Sequence, residues 1–297
     1  MTETCIRIFG EVLFDHFPDG ATVLGGAPFN VAWHLQAFGE APSFISRIGI
    51  DSQGETIIKS MQAWGMDSSE LQKDAHHPTG TVQITFSQGE PRYHILPNQA
   101  YDFISADECA IKCCDGLLYH GTLALRHEIS RQALENLKSY HQGKIFLDVN
   151  LRAPWWDDDH LAQWLNEADW VKLNLDEFQR LQPDIGDLAV ALKVFRQTYD
   201  LEGLVVTCGA KGAIAVNMAG EHASVTPDEA LTIVDTVGAG DAFAAVMIVG
   251  IYQEWPLQLA LDRAQAFASA MLGQQGAIVQ NKAFYQPFIN AWLSGTG

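Results

Sequence analysis

Short apolar runs alternate along this chain with stretches in which hydrophobic residues recur every three to four positions. Ile6-Arg7-Ile8-Phe9-Gly10 reads as an opening strand, and Asn30 to Phe38 continues as a helix with Val31, Leu35 and Phe38 on one face. Ser43 to Ile48 is a second strand, and Thr56 to Trp64 a helix that the Gly65-Met66-Asp67 turn ends. Strands near Gly116 to Tyr119, Lys144 to Val149, Trp170 to Leu173 and Leu204 to Thr207 follow, separated by amphipathic helices. Such alternation predicts an α/β fold with parallel strands and helices on both faces of the sheet.

Two stretches break the pattern. Glu11 to Leu24 and Gly80 to Tyr93 alternate apolar and polar residues, contain turn glycines and have no helix between their strands. They read as antiparallel strands outside the main sheet, either an ordinary edge hairpin or a small sheet that covers a substrate and excludes water. On this reading residues 1–10, 25–79 and 94–297 form the main domain and residues 11–24 and 80–93 a lid. No internal repeat or low-complexity linker is visible, and Ser294 to Gly297 reads as a flexible end.

Composition narrows the function. A chain of 297 residues, 47% of them hydrophobic, can bury a substantial core. Its 36 acidic and 18 basic residues leave a net charge of −18, which argues against a nucleic acid or an anionic membrane as partner. No apolar run reaches the roughly 20 residues of a membrane span. Cys5, Cys109, Cys113, Cys114 and Cys208 lack the spacing of a disulfide framework, and the first residues lack a signal-peptide pattern, so a reducing cytoplasm is expected. The Cys109-Cys113-Cys114 cluster reads as partly buried thiols, with a metal site as the alternative.

The most informative segment is Asp235-Thr236-Val237-Gly238-Ala239-Gly240-Asp241-Ala242-Phe243. Gly238, Ala239 and Gly240 carry almost no side chain, so their N–H groups can close around an anion at the positive end of the helix that Ala242 to Tyr252 predicts. Asp241 would stand beside that anion, able to accept a proton from an attacking hydroxyl. Leu231-Thr232-Ile233-Val234 supplies a strand before the turn. A tight turn with an aspartate cap is the plainer reading of the same four residues. Phe243 stands where a dinucleotide fingerprint needs a third glycine. No Walker A sequence and no kinase His-Arg-Asp loop occurs.

Other positions suit a phosphoryl-transfer site. Gly25 and Gly26 let the backbone approach a ligand, and Asn30 offers a donor and an acceptor to hydroxyls. Asp15, just beyond the first strand, could accept two sugar hydroxyls or be a solvated loop charge. Asp148-Val149-Asn150-Leu151-Arg152 leaves a strand end, where Arg152 could meet substrate or phosphate or form a surface ion pair. Asn174 and Glu177 share one face at a helix start, as partners of Mg²⁺ and its waters or as an N-terminal cap. Thr207-Cys208-Gly209-Ala210-Lys211-Gly212 ends another strand in a nucleotide-phosphate loop or a hairpin turn.

Together these segments resemble the PfkB or ribokinase-like family of carbohydrate kinases over most of the chain. Gly25-Gly26-Ala27-Pro28-Phe29-Asn30 through Gly54 is similar to the family's first signature and Asp235 to Phe243 to its second, with Asn174-x-x-Glu177 and Thr207-x-Gly209-x-x-Gly212 between them in the expected order. The resemblance implies a three-layer αβα sandwich around a mostly parallel sheet with a small antiparallel β-sheet lid. It implies ATP-dependent phosphorylation of a sugar hydroxyl, with Asp241 as base and Gly238, Ala239 and Gly240 as anion hole. Asp15, Gly25, Gly26, Asn30 and Arg152 would hold sugar, and Asn174 and Glu177 would act through Mg²⁺ and water. Thr207, Gly209 and Gly212 would line the nucleotide site, and Asp235 and Val237 would lie near a monovalent cation such as K⁺. Gly273-Gln274-Gln275-Gly276-Ala277 is less typical of such a cation site. The Gly-Gly-Ala-Pro-x-Asn-Val-Ala form, Gly121 to Arg126 and Asp148 to Arg152 look most like bacterial fructokinases, which points to fructose and fructose 6-phosphate. Ribose, 2-keto-3-deoxygluconate or a nucleoside is the alternative acceptor, and a non-catalytic sugar sensor is the alternative class. The extra strands, with edges that seek partners, suggest a homodimer.

Overall fold

The computed structural model describes residues 5–87, 90–109, 115–183, 186–227 and 233–293. Its first half contains β1 (Ile6–Phe9), β2 (Leu13–His16), β3 (Thr22–Gly25), α1 (Ala27–Ala37), β4 (Ser43–Gly49), α2 (Ser52–Trp64), β5 (Leu71–Asp74), β6 (Gly80–Ser87), β7 (Glu90–Ile95), β8 (Leu117–His120) and α3 (Glu128–Ser139). Then come β9 (Lys144–Asp148), α4 (Asp158–Glu167), β10 (Trp170–Asn174), α5 (Leu175–Leu181), α6 (Leu188–Thr198), β11 (Gly203–Thr207), β12 (Ala213–Asn217), β13 (His222–Val225), α7 (Ala239–Tyr252), α8 (Leu257–Met271) and α9 (Lys282–Leu293).

Nine strands make the main sheet in the order β13-β12-β11-β10-β9-β8-β1-β4-β5. The strands from β11 through β5 in that order pair parallel, and β12 and β13 add antiparallel pairs at one edge. β1 and β8 are buried at every position, as strands covered on both faces must be. One apolar layer, with Phe29, Met247 and Phe267, lies beneath α1, α2, α7, α8 and α9; the other, with Leu134, Trp164 and Phe195, lies beneath α3 to α6. The fold is therefore the expected three-layer α/β sandwich.

The element starts show which local signals governed. α1 begins at Ala27, ahead of the expected Asn30, because Pro28 suits a first helical turn, where a missing N–H costs nothing. α2 begins at Ser52, since Asp51 accepts from the Gly54 N–H at 2.8 Å and caps it. α7 is apolar on all sides, and Ala242 to Gly250 are all buried between α1 and α8. Ile233 and Val234 are not a strand: both are exposed, and Val234 N–H donates to the Leu272 carbonyl. Leu231 and Thr232, like Ser294 to Gly297, lie outside the described residues.

The small sheet has the order β3-β2-β6-β7. It consists of two antiparallel hairpins joined through a parallel β2–β6 pair, with Leu13 opposite Gly80 and Asp15 opposite Val82. The parallel seam arises because α1, β4, α2 and β5 intervene between the hairpins, so the second returns alongside the first in the same direction. Cys109 is a free, half-buried thiol as expected of its cluster and Cys208 is also free and half-buried, whereas Cys5 is disulfide-bonded, a correction to the expectation drawn from cysteines without disulfide spacing. Cys113 and Cys114 lie outside the described residues. Among the described residues no group of three His, Cys, Asp or Glu side chains could hold a metal, and no helix is long and apolar enough to cross a membrane.

Candidate active site

From β1 the chain lays β4 and β5 on one side and then β8 to β11 on the other. The loops after β1 and β8 diverge, and a crevice at such a reversal of strand order is where open α/β sheets bind ligands. Here it is a cavity of about 390 Å³, lined by residues from the carboxyl ends of the central strands, the N-termini of α1 and α7, and the small sheet.

Gly238 determines how α7 presents itself. Its φ of +80° is left-handed, and a Cβ there would stand 2.4 Å from Ala277, so only glycine turns the chain at this point without a clash. No side chain caps the helix. The first N–H groups of an α-helix have no partner within the helix, and this is the geometry in which helix N-termini can bind anions. Asp241 lies within the first turn and not ahead of it, because the small residues at 239 and 240 already adopt helical geometry.

Asp241 meets α1 across the cavity floor, where Asn30 Nδ2 donates to Asp241 Oδ2 at 2.7 Å. Burial pushes the Asp241 carboxyl up to about 6; Asp148 adds to this, and the Asn30 hydrogen bond, Lys172 and Arg152 oppose it. Asp15 on β2 is raised to about 6 by burial against the opposing charge of Arg152. Gly25 does not itself line the cavity, but a Cβ there would stand 3.9 Å from Asn30 Oδ1 and 4.0 Å from Asp15 Oδ2. Both are ordinary contact distances, so Gly25 brings the backbone alongside these two side chains without a close approach that excludes a Cβ. Gly26, at φ +111°, lets the backbone of Glu11 and Val12 pack against the start of α1.

The opposite wall adds to Asp148 and Arg152 a charge that the sequence patterns did not single out, Lys172. Lys172 on β10 holds Asp148 at the end of β9 with both carboxylate oxygens 2.9 Å from Nζ. Burial alone would lower the Lys172 ammonium, but Asp148 beside it keeps it above the ordinary lysine range. Lys172 Nζ would lie 3.7 Å from a Cβ at Gly240, so this cation abuts the anion loop. Arg152, exposed, lines the cavity. Asn150 lines it at φ +38°, a left-handed conformation that a non-glycine residue adopts at a cost and that clusters at functional sites. The signal for Lys172 was available: a charged residue between Val171 and Leu173 in a strand buried on both faces requires a buried partner.

Asn174 and Glu177 form a capping box. Asn174 Oδ1 accepts from the Glu177 N–H and Glu177 Oε2 from the Asn174 N–H, both at 2.8 Å, while Glu177 Oε1 accepts from Leu151 N–H at 2.8 Å and ties the Asn150-Leu151-Arg152 segment to α5. Both residues also line the cavity, so the cap and the site coincide. Burial raises the Glu177 carboxyl. Thr207 lines the cavity, but Gly209 and Gly212 do not. They form the hairpin turn into β12, and Gly212 packs so closely on Val225 that a Cβ would overlap its carbonyl. Asp235 and Ala239 also lie outside the lining, whereas Val237 belongs to it. Asp235 accepts from the N–H groups of Val237 and Gly276, both at 3.0 Å, and so bridges the anion loop to the segment before α9.

A cavity at the strand ends, roofed by a small sheet and floored by a helix N-terminus, belongs to the ribokinase-like sugar kinases, which use ATP. Comparison with known proteins makes the assignment particular: residues 7–283 match the pfkB family carbohydrate kinase, and the chain belongs to that family. It is 28% identical over 297 residues to the fructokinase of Escherichia coli, covering 92% of this chain and 94% of that one. The fructokinase of Vibrio cholerae O395 in its fructose, ADP and calcium ion bound form superimposes with a TM-score of 0.79 at 25% identity, over 95% of this chain and 98% of that one. Aminoimidazole riboside kinase from Salmonella enterica gives a TM-score of 0.81 at 21% identity, over 96% and 100% of the two chains, a likeness of fold.

Proposed function

We propose that the protein transfers the γ-phosphoryl group of ATP to the primary hydroxyl of fructose, giving fructose 6-phosphate and ADP. The observation that carries this reading is the meeting, in one cavity, of the uncapped α7 N-terminus with an Asp241 carboxylate that Asn30 orients. The sugar hydroxyl attacks the γ-phosphorus, the bond to the ADP oxygen breaks, and the hydroxyl proton passes to Asp241 and then to solvent. The amides of Gly238, Ala239 and Gly240 face the charge that spreads over the transferred group, with Lys172 beside them. Asp15, Gly25, Gly26, Asn30 and Arg152 make the sugar end, and Thr207 the nucleotide end. Residues 11–24 and 80–93 serve as the lid over the main domain and limit water as a competing acceptor.

Mg²⁺ would arrive on the nucleotide phosphates and supply charge neutralisation there. Glu177 and Asn174, their oxygens already engaged by backbone N–H groups, suit its waters better than direct ligation. Asp235, which accepts from the N–H groups of Val237 and Gly276, and Val237 itself are the residues that would stand beside a monovalent cation such as K⁺.

The test is ADP release with Mg-ATP across fructose, ribose, 2-keto-3-deoxygluconate and nucleosides. Fructose should give the highest kcat/KM; a nucleoside or sugar acid ahead of it by tenfold would overturn the acceptor, and sugar binding without ADP would leave a sensor. The chain's likeness to the fructokinases of Escherichia coli and Vibrio cholerae favours fructose. The reading includes a homodimer through the small sheet, whose Val23 and Tyr93 are exposed. Sedimentation at micromolar concentration should give twice 32.7 kDa; a species of 32.7 kDa alone rejects it.

A further inference from the structure

Glu11 has no role in the scheme above, yet it lines the same cavity, in the loop between β1 and β2 at the reversal of strand order. It is 3% exposed, and its Oε2 is buried without a hydrogen-bond partner. Buried carboxylate oxygens are almost always paired, so an orphan oxygen on a residue that lines the cavity calls for a partner the protein itself does not supply. Asn30 Oδ1 is a second buried oxygen without a partner. Its orientation is fixed, because Nδ2 of the same amide donates to Asp241. Arg126 gives Nε and one terminal nitrogen to Asp102 at 2.6 and 2.7 Å, while its Nη1, like Glu11 Oε2, is buried without a partner.

The Glu11 and Asn30 orphans are both oxygens, and the group that satisfies them must donate. We propose that Glu11 contacts a hydroxyl of the acceptor sugar away from the reacting one, and thereby selects a neutral polyhydroxylated sugar over a sugar acid. The inference rests on the kinase reading for the identity of the acceptor. Burial holds the Glu11 carboxyl up to about 7, with Asp241 adding to this and Arg152 and Arg126 opposing it. A hydroxyl can donate to the charged form or accept from the neutral one, whereas a ligand carboxylate meets repulsion from the charged form.

Fructose binding to the full chain without nucleotide, followed by calorimetry, tests the contact. Glu11→Ala should weaken binding by about 10-fold or more, the scale of a lost hydrogen bond to a charged group. Glu11→Gln should keep binding within roughly threefold but lower the preference for fructose over 2-keto-3-deoxygluconate, in kcat/KM, by about 10-fold. A natively folded Glu11→Ala that binds fructose as tightly as the parent overturns the proposal. If Glu11→Ala does not fold, Glu11→Gln decides, and unchanged discrimination overturns it. Parent protein that binds fructose without forming ADP fails the kinase reading alone, since the binding arm still judges Glu11.

Discussion

Asp241→Asn lowers kcat by about 10²-fold or more while fructose affinity stays within a few fold, the pattern of a lost general base. The asparagine side chain can still face the Asn30 Nδ2 that donates to Asp241 at 2.7 Å, so the cavity floor keeps its shape. The pH profile gives an independent check. A base must be deprotonated to act, and burial has pushed Asp241 up to about 6, so parent kcat should fall roughly tenfold for each pH unit below that value. Asp15, raised to about 6 by the same cause, should weaken sugar binding in the same range as it is protonated, which steepens kcat/KM relative to kcat. The Asn variant should show a flat, low kcat across this range. A variant with parental kcat, or with an unaltered pH profile, removes Asp241 from the chemistry.

Lys172→Met is expected to cost about 3–5 kcal/mol of folding stability, the usual penalty for leaving a buried charge without its partner. Asp148 and Lys172 are 2% and 8% exposed, and among the described residues both carboxylate oxygens rely on the one ammonium, helped by a Tyr119 hydroxyl 3.4 Å away. Adding Asp148→Asn to Lys172→Met removes the stranded charge and should recover most of the loss in urea denaturation. Turnover should stay low in both variants, because Lys172 also abuts the anion loop at Gly240. A single variant that loses less than about 1 kcal/mol, or a double variant no better than the single, would show that the pair carries little of the fold's stability.

These two experiments probe different kinds of information. The Asp241 turn was legible because its chemistry is written in consecutive residues: small residues that admit an anion, a carboxylate, and an apolar helix. The Lys172–Asp148 pair is assembled from two strands separated by a helix, and only the parallel register that sets Lys172 opposite Asp148 makes them partners. The Thr207 loop shows the converse. Its two glycines read equally as a phosphate loop or a hairpin; Gly212 packs on Val225 in the turn between two antiparallel strands, while Thr207 reaches the cavity.

The sequence by itself determined the layered α/β architecture, because the period of apolar positions decides which segments can bury a face and so which elements form. It also marked out many of the residues that line the cavity, since strand ends and helix starts are local features. Tertiary structure alone decided the meeting of Asn30 with Asp241 across 211 positions, the burial that lifts Asp241, Asp15 and Glu11 toward neutrality, and the orphaned oxygen of Glu11. Those properties depend on which groups exclude water from one another, and that is fixed only when distant segments close around the same cavity.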